Sequence, residues 1–163
     1  MNPLQFLDYV VRPALAYLDP DVPHTAQAEA LLMATAAQES QFEYIAQLGG
    51  GPARGVYQCE PATHHDIIIN FLAFRPALDG KVRGLASGDR YHTDPDQALY
   101  DNHAYATAIC RVHYLRVSDP IPDVHADGLD ALAAYYLRHY NAGGRATAQQ
   151  FVDRYRRYVA GCF

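Results

Sequence analysis

The stretch TAQAEALLMATAAQESQF, residues 25–42, carries the clearest helical pattern in this chain. It is rich in alanine, leucine and glutamine, residue types that favour helix. Thr25 is suited to cap the first turn, because its hydroxyl can accept a hydrogen bond from a free backbone N–H group. The stretch therefore predicts a helix that begins after Thr25 and ends near Phe42.

Glycines interrupt the chain soon after this helix. Gly49-Gly50-Gly51-Pro52 predicts a turn or loop, and residues 55–59 predict a short extended segment. Elsewhere apolar residues recur mostly every three or four positions, which indicates helices. We predict these helices over residues 4–18 with Pro13 kinking the helix or starting a second one, about 63–74, from Asp94 to near Val117, from Asp127 to Asn141, and from Thr147 to about Ala160. An irregular stretch is predicted through Gly80, Gly84, Gly88 and Tyr91.

Length and composition bound the class of protein. A chain of 163 residues fits one domain with its own core, so we predict a single α+β, mainly α-helical domain over residues 1–163. The formal charge of −5 argues against a nucleic-acid partner, which needs a basic surface. No apolar run approaches the ~20 residues that span a membrane, and no basic stretch precedes an apolar one at the N-terminus. We therefore expect no membrane insertion and no secretory signal.

Glu39 is the acidic residue whose surroundings favour chemistry. It lies near the end of the predicted helix and shares a face with Leu32, Thr35 and Ala36. That face points toward a core, where a carboxyl loses solvation and its pKa rises. A carboxyl that stays protonated at working pH can protonate the leaving oxygen of a glycosidic bond. The alternative is an ordinary surface glutamate at a helix end.

Three segments form an ordered set around this residue. They are Glu39-Ser40-Gln41-Phe42, then Gly55-Val56-Tyr57-Gln58 followed by Pro61-Ala62-Thr63, and finally His139-Tyr140-Asn141-Ala142-Gly143. In this order they resemble the Glu-Ser-x-Phe, Gly-Leu-Met-Gln with Pro-Ala-Thr, and Ala-Tyr-Asn-Ala-Gly segments of the soluble lytic transglycosylases, relatives of goose-type lysozyme. The resemblance covers about half of the chain and is strongest between Ala34 and Thr63.

The resemblance implies a lysozyme-like domain of two lobes that flank a cleft, with a small loop or β region after the catalytic helix. It implies that Glu39 acts as general acid and base on the β-1,4 bond between N-acetylmuramic acid and N-acetylglucosamine in peptidoglycan. The residues that it implies for substrate binding are Ser40, which also supports the loop, Tyr57, Gln58, Tyr140 and Asn141. The chain departs from the family at Tyr57 and Cys59, where aliphatic residues are usual, and residues 74–96 have no counterpart.

A second carboxylate decides the type of reaction. Hydrolases need one, whereas lytic transglycosylases do without it because the 6-hydroxyl of the muramic sugar closes onto its own anomeric carbon. Glu60 is the candidate second carboxylate, and Glu43 follows Glu39 by four residues but lies beyond the predicted helix. A surface or ion-pair role is the alternative for both. The resemblance favours transglycosylation, and Glu60 leaves hydrolysis open.

Other reactive side chains have structural interpretations. The histidines lack metal-ligand spacing, since His103 and His113 would lie about 15 Å apart along one helix, so we predict no metal and no cofactor. Tyr135 and Tyr136 are predicted to pack in the core. A solvated helix face is predicted to carry Arg154, Arg156 and Arg157.

The route to the substrate leaves two interpretations open. Without a secretory signal, an enzyme made in the cytoplasm reaches the wall only after delivery by a virion or through a membrane pore, as a phage lysis enzyme does. The alternative is a lysozyme-like structural component of a phage virion with weak or no activity, which would contact other virion proteins. Three widely separated cysteines, Cys59, Cys110 and Cys162, fit a reduced compartment with free thiols.

Overall fold

Helices dominate the computed structural model, which describes residues 1–86 and 90–163. The prediction of a mainly helical chain is confirmed. The helices are α1 (Pro3–Phe6), α2 (Arg12–Leu18), α3 (Ala26–Ser40), α4 (Pro61–Asn70), α5 (Pro76–Leu85), α6 (Arg90–Thr93), α7 (Pro95–Asp101), α8 (His103–Leu115), α9 (Leu129–His139) and α10 (Ala148–Tyr158). Within the described residues, no helix combines the length and the apolar character that crossing a bilayer requires.

The predicted first helix is confirmed, with a π-helical turn in its middle. A π-helical turn over Leu7–Val11 joins α1 to α2, and the Arg12 N–H group bonds the Leu7 carbonyl five residues back. Pro13 follows at the start of α2, and because proline has no backbone N–H group, it cannot donate a hydrogen bond to the carbonyl of the preceding turn. The wider turn accommodates this missing bond, so the chain stays helical from Pro3 to Leu18.

Helix α3 forms the centre of the core. The Thr25 hydroxyl accepts a hydrogen bond from the Ala28 N–H group at 3.1 Å, as predicted for the cap. From Ala28 to Gln38 every residue is buried, because α8, α9 and α10 pack around the helix. Such a helix brings any polar side chain at its end into contact with several other elements, and Glu39 occupies that end.

Two predictions about the middle of the chain are wrong. The helix predicted from Asp94 to near Val117 is two helices, because Asn102 leaves helical geometry and its side chain accepts a bond from the Tyr105 N–H group at 2.9 Å. Asparagine is a favoured cap, and here it restarts the helix. The stretch predicted as irregular contains α5, which begins at Pro76. Gly88 lies outside the described residues.

The segment between α3 and α4 is a compact loop. Its only regular pairing among the described residues consists of two isolated β-bridges, Ala46 with Arg54 and Arg54 with Cys59. The extended segment predicted over residues 55–59 is wrong, because residues 55–58 form a turn in which the Gln58 N–H group bonds the Gly55 carbonyl at 3.0 Å. Gly55 has a φ of +72°, and a Cβ there would overlap the Leu99 carbonyl oxygen. The glycine therefore holds the loop close against α7.

Candidate active site

A cleft of about 550 Å³ opens where α3 ends. The loop between α3 and α4 forms one wall, and the end of α9 with α10 forms the other. The chain thus brings its three predicted segments together from positions about 100 residues apart. The polar and charged residues that line the cleft include Glu39, Gln58, Glu60, Tyr140, Asn141 and Arg154.

The Glu39 carboxyl is largely desolvated. Burial raises the pKa of its carboxyl from 4.5 to about 7, since a carboxylate loses hydration there. The Tyr136 hydroxyl donates a hydrogen bond to Oε1 at 2.5 Å, and the positive charge of Arg154 lies near. Both partners favour the charged form, so they hold the pKa below the value that burial alone would give. A carboxyl of this kind exchanges its proton near neutral pH.

The turn after Glu39 is fixed from within the protein. The Ser40 hydroxyl donates to the Ala36 carbonyl at 3.0 Å and accepts from the Phe42 N–H group at 3.3 Å. Gln41 and Phe42 both have positive φ values, 55° and 58°, which end the helix sharply. Ser40 is fully buried, so the prediction that it binds substrate is wrong. Its other predicted role, support of the loop, agrees with these bonds.

Tyr140 ties the two walls of the cleft together. Its hydroxyl donates to the backbone carbonyl of Tyr57 at 2.7 Å, and its ring stacks on Tyr136 with centroids 5.9 Å apart. The neighbouring Gln58 lines the cleft with a φ of +48°, and its side-chain amide donates to the Gly55 carbonyl at 2.8 Å. Tyr140 thus bonds the residue that precedes Gln58, which fixes these two predicted segments next to each other.

Tyr57 itself does not reach the cleft. Only 1% of it is exposed, and its hydroxyl pairs with the Thr107 hydroxyl at 3.1 Å. The prediction that Tyr57 binds substrate is wrong, because its side chain turns into the core whereas its backbone carbonyl faces Tyr140. Within this tight turn the side chain of Gln58 lines the cleft, whereas the preceding Val56 and Tyr57 are both buried.

Asn141 lines the cleft at the C-terminal end of α9. Its side-chain oxygen accepts a bond from the Ala146 N–H group at 3.3 Å, and its carbonyl accepts from the Gly144 N–H group at 2.9 Å. A Cβ at Gly144 would overlap the Asn141 amide. Glycine at this position therefore gives the amide room to lie across the turn, and its NH₂ group can donate to a ligand in the cleft.

Two residues that matter for Glu39 had other predicted roles. Tyr136 was expected to pack in the core, and its buried ring does so by stacking on Phe151. Its hydroxyl nevertheless reaches Glu39. Arg154 was expected on a solvated face with Arg156 and Arg157, but it lines the cleft and donates to the Gln38 carbonyl. The prediction for Arg154 is wrong, whereas Arg156 and Arg157 are exposed.

Other groups in the cleft limit the chemistry. Glu60 is an exposed carboxylate on the cleft wall, and exposed Glu43 does not line the cleft. Cys59 also lines it, but burial raises the pKa of its thiol to about 12, so it does not supply a thiolate nucleophile. In the described ranges, no group of three or more His, Cys, Asp or Glu side chains could hold a metal ion.

A comparison with known protein families, curated proteins and solved structures found no significant match to this chain. The chemistry of the cleft is therefore inferred from its own side chains. The geometry offers Glu39 as a proton donor near neutral pH, hydrogen-bonding amides on both walls and an open groove. These are the parts that acid catalysis on a polar, extended ligand requires.

The raised pKa of Glu39 has a consequence for stability. Below pH 4.5 the carboxyl is protonated in both the folded and the unfolded chain, so its ionisation does not lower the free energy of unfolding there. Above pH 7 the folded protein must hold the charge in a desolvated position. We therefore expect Glu39→Gln to raise the free energy of unfolding by about 1–3 kcal/mol at pH 8 and to change it little at pH 4.

Urea denaturation at both pH values measures this effect. The matched control is Glu43→Gln, which removes an exposed carboxylate a short distance along the chain and should leave the free energy of unfolding nearly unchanged at either pH. An equal effect of Glu39→Gln at pH 4 and pH 8 would contradict a desolvated carboxyl.

Proposed function

We propose that this chain cleaves the β-1,4 glycosidic bond between N-acetylmuramic acid and N-acetylglucosamine in bacterial peptidoglycan. The observation that carries the proposal is the Glu39 carboxyl, which lines an open cleft and has a pKa of about 7. The opposite walls present Gln58 and the Tyr140-Asn141 turn, as the resemblance to lytic transglycosylases implies. In this proposal the cleft is the groove between the two lobes of a lysozyme-like domain.

The first step is protonation of the leaving oxygen. Protonated Glu39 donates to the glycosidic oxygen, the bond from that oxygen to the anomeric carbon breaks, and N-acetylglucosamine leaves as an alcohol. Positive charge then develops on the muramic sugar, and the new Glu39 carboxylate stabilises it. Tyr136 and Arg154 support this carboxylate, because both favour the charged form.

The second step returns the proton. The 6-hydroxyl of the muramic sugar attacks its own anomeric carbon, and Glu39 accepts the hydroxyl proton. The product is a 1,6-anhydro sugar, no water is consumed, and the acid is regenerated. One carboxyl therefore performs both proton transfers, which suits a group whose pKa lies near neutrality.

Glu60 is the residue that would support hydrolysis instead. It lines the cleft, so it is positioned to assist a water molecule if the muramic 6-hydroxyl does not attack. Glu60 is exposed to solvent, whereas the Glu39 carboxyl is desolvated. We favour transglycosylation because Glu39 alone can complete that reaction.

Product analysis tests the proposal. Purified peptidoglycan is digested with the protein in H₂¹⁸O, and the soluble fragments are analysed by mass spectrometry. Lytic transglycosylation predicts fragments that end in 1,6-anhydro muramic acid, one water lighter than hydrolysed fragments and free of the label. Glu60→Gln should leave this product unchanged.

The other outcomes are equally informative. Labelled reducing ends that depend on Glu60 would replace transglycosylation with hydrolysis. If the folded wild-type protein releases no fragments from several wall types, the catalytic proposal fails. The chain would then be better explained as a structural component of a virion.

Delivery to the wall belongs to the same proposal. We propose synthesis in the cytoplasm, followed by release with a phage virion or through a membrane pore. The three cysteines are free thiols, and Cys59 and Cys110 are buried, which suits a chain that folds in a reducing compartment.

A further inference from the structure

A second pocket, of about 310 Å³, lies at the opposite end of α3 from the cleft. It opens between the start of α3, the end of α8, the following segment through Ile121, and α9. Among the described residues, none lines both this pocket and the cleft. Thr25 lines this pocket and Glu39 lines the cleft, and fourteen residue steps of 1.5 Å along the helix place them about 21 Å apart. The pocket is therefore not an extension of the proposed active site.

Arg111 of α8 lines this pocket with an unpaired charge. Only 6% of the residue is exposed, and its Nε–H group is buried without a hydrogen-bond partner. None of the ion pairs formed by residues 1–86 and 90–163 includes Arg111. A guanidinium stays charged in proteins, so its burial without an anion is unfavourable. Burial also lowers the pKa of Arg111 from its usual value.

The one acidic side chain of the pocket does not neutralise this arginine. Asp119 pairs instead with His139 at 3.2 Å and with Arg138 at 3.5 Å. The Tyr135 hydroxyl donates to the Asp119 backbone carbonyl at 3.2 Å, which fixes the segment that carries the carboxylate. A ligand anion would therefore meet Arg111 without displacing an existing ion pair.

The remaining wall of the pocket is largely apolar. Leu115, Val117, Pro120 and Ile121 line it, and the aromatic rings of Tyr114 and Tyr135 stack on each other with centroids 5.9 Å apart. Such a surface favours hydrocarbon and excludes water from the neighbouring charge, which strengthens a guanidinium–carboxylate pair. The apolar wall and the cation together favour a ligand that has an apolar body and a negatively charged end.

We propose that this pocket binds a small organic carboxylate, whose carboxylate pairs with Arg111 and whose apolar body lies against Leu115, Val117 and Ile121. The guanidinium fork matches a carboxylate with two parallel hydrogen bonds. A phosphate dianion fits less well, because the pocket offers one free cation among the described residues and Asp119 adds a negative charge. The ligand is thus a monoanion, and the site is separate from peptidoglycan cleavage.

Titration with three simple probes tests the site. Hexanoate carries the charge and the apolar body, 1-hexanol lacks the charge, and inorganic phosphate lacks the apolar body. We expect hexanoate to shift the Nε–H NMR signal of Arg111 in a saturable manner. Binding of hexanol and of phosphate should be weaker by a factor on the order of ten or more, because each lacks one half of the interaction. Equal binding of all three probes, or no saturable shift with hexanoate, would overturn the proposal.

Variants at Arg111 separate binding from folding. Arg111→Met keeps the length and apolar contacts of the side chain, so we expect it to raise the melting temperature of the free protein and to abolish hexanoate binding, followed through backbone amide signals of Val117 and Ile121. Arg111→Lys retains the charge and should retain weaker binding if the methionine variant does not fold. Two results would contradict the role assigned to Arg111. One is hexanoate binding to Arg111→Met that is as strong as binding to the wild-type protein. The other is binding to Arg111→Lys that is as weak as binding to a folded Arg111→Met.

Glu39→Gln provides an independent control. It removes the proposed catalytic acid but leaves the second pocket intact, so hexanoate should bind this variant as tightly as the wild-type protein. A loss of binding in Glu39→Gln would contradict a separate site. Failure of peptidoglycan cleavage in the wild-type protein would leave this binding experiment unaffected.

Discussion

Glu39→Gln is expected to reduce the rate of peptidoglycan cleavage by a factor on the order of 100 or more while leaving the protein folded. Glutamine preserves the shape of the side chain and an oxygen that can accept the hydrogen bond from Tyr136. It removes the proton that the leaving oxygen needs and the carboxylate that takes a proton back. Because both steps use this one group, the loss should appear in kcat rather than in substrate binding.

The control for this prediction is Glu43→Gln. Glu43 is an exposed carboxylate four residues further along, outside the lining of the cleft. Its variant should release fragments at the wild-type rate. Release of soluble fragments from dye-labelled peptidoglycan measures both rates. Equal rates for Glu39→Gln and the wild-type protein would exclude Glu39 as the acid.

Activity is expected to fall steeply at alkaline pH. The first step needs the protonated form of Glu39, whose pKa is about 7. Half of the protein is protonated at that pH, and well above it the protonated fraction drops tenfold for each pH unit, so kcat/KM should fall about 50-fold between pH 7 and pH 9. An unperturbed glutamate would place this decline near pH 4.5 and leave little activity at neutral pH.

Tyr136→Phe tests the origin of this pH profile. The Tyr136 hydroxyl bonds the Glu39 carboxyl and lowers its pKa against the larger effect of burial. Removing the hydroxyl should therefore move the alkaline decline to higher pH, because the charged form loses a partner. Rates measured across pH 5 to 10 on the same peptidoglycan would show the shift. A decline that moves to lower pH, or does not move, would contradict the hydrogen bond's assigned effect.

The sequence predicted the parts of the site that depend on local pattern. Glu39 at the end of an apolar helix, and Gln58, Tyr140 and Asn141 in short motifs, all line the same cleft. Ser40 and Tyr57 were expected beside them but are buried, because the turns that carry them direct their side chains into the core. A motif indicates which backbone segments meet, whereas the direction of each side chain depends on the turn that carries it.

The partners of Glu39 were harder to predict, because they come from distant parts of the chain. Tyr136 is 97 residues away, and no local pattern indicates where its hydroxyl lies. Arg154 did carry a signal. It lies three residues after Phe151 and next to Tyr155, both buried, whereas Arg156 is about 200° further around the helix. Helical periodicity, applied residue by residue, would have separated Arg154 from Arg156, but not from Arg157, which lies only about 60° away around the helix.

The break at Asn102 shows a different limit. The sequence from Asp94 to near Val117 has helical periodicity throughout and no glycine or proline after Pro95. Asn102 ends one helix and caps the next through its side chain, which also donates to the Leu85 carbonyl at 2.6 Å. That second bond comes from another element, so tertiary contact and local capping act together to break the helix.

An NMR titration of the Glu39 carboxyl measures the pKa on which the proposed catalysis depends. Protein labelled with ¹³C at the glutamate side-chain carboxyl is titrated from pH 3 to pH 9, and the Glu39 signal is assigned by its absence in Glu39→Gln. We predict a midpoint of about 7 for Glu39. A midpoint near 4.5 would mean that the carboxyl is solvated and charged at neutral pH, and the proposed acid catalysis would be contradicted.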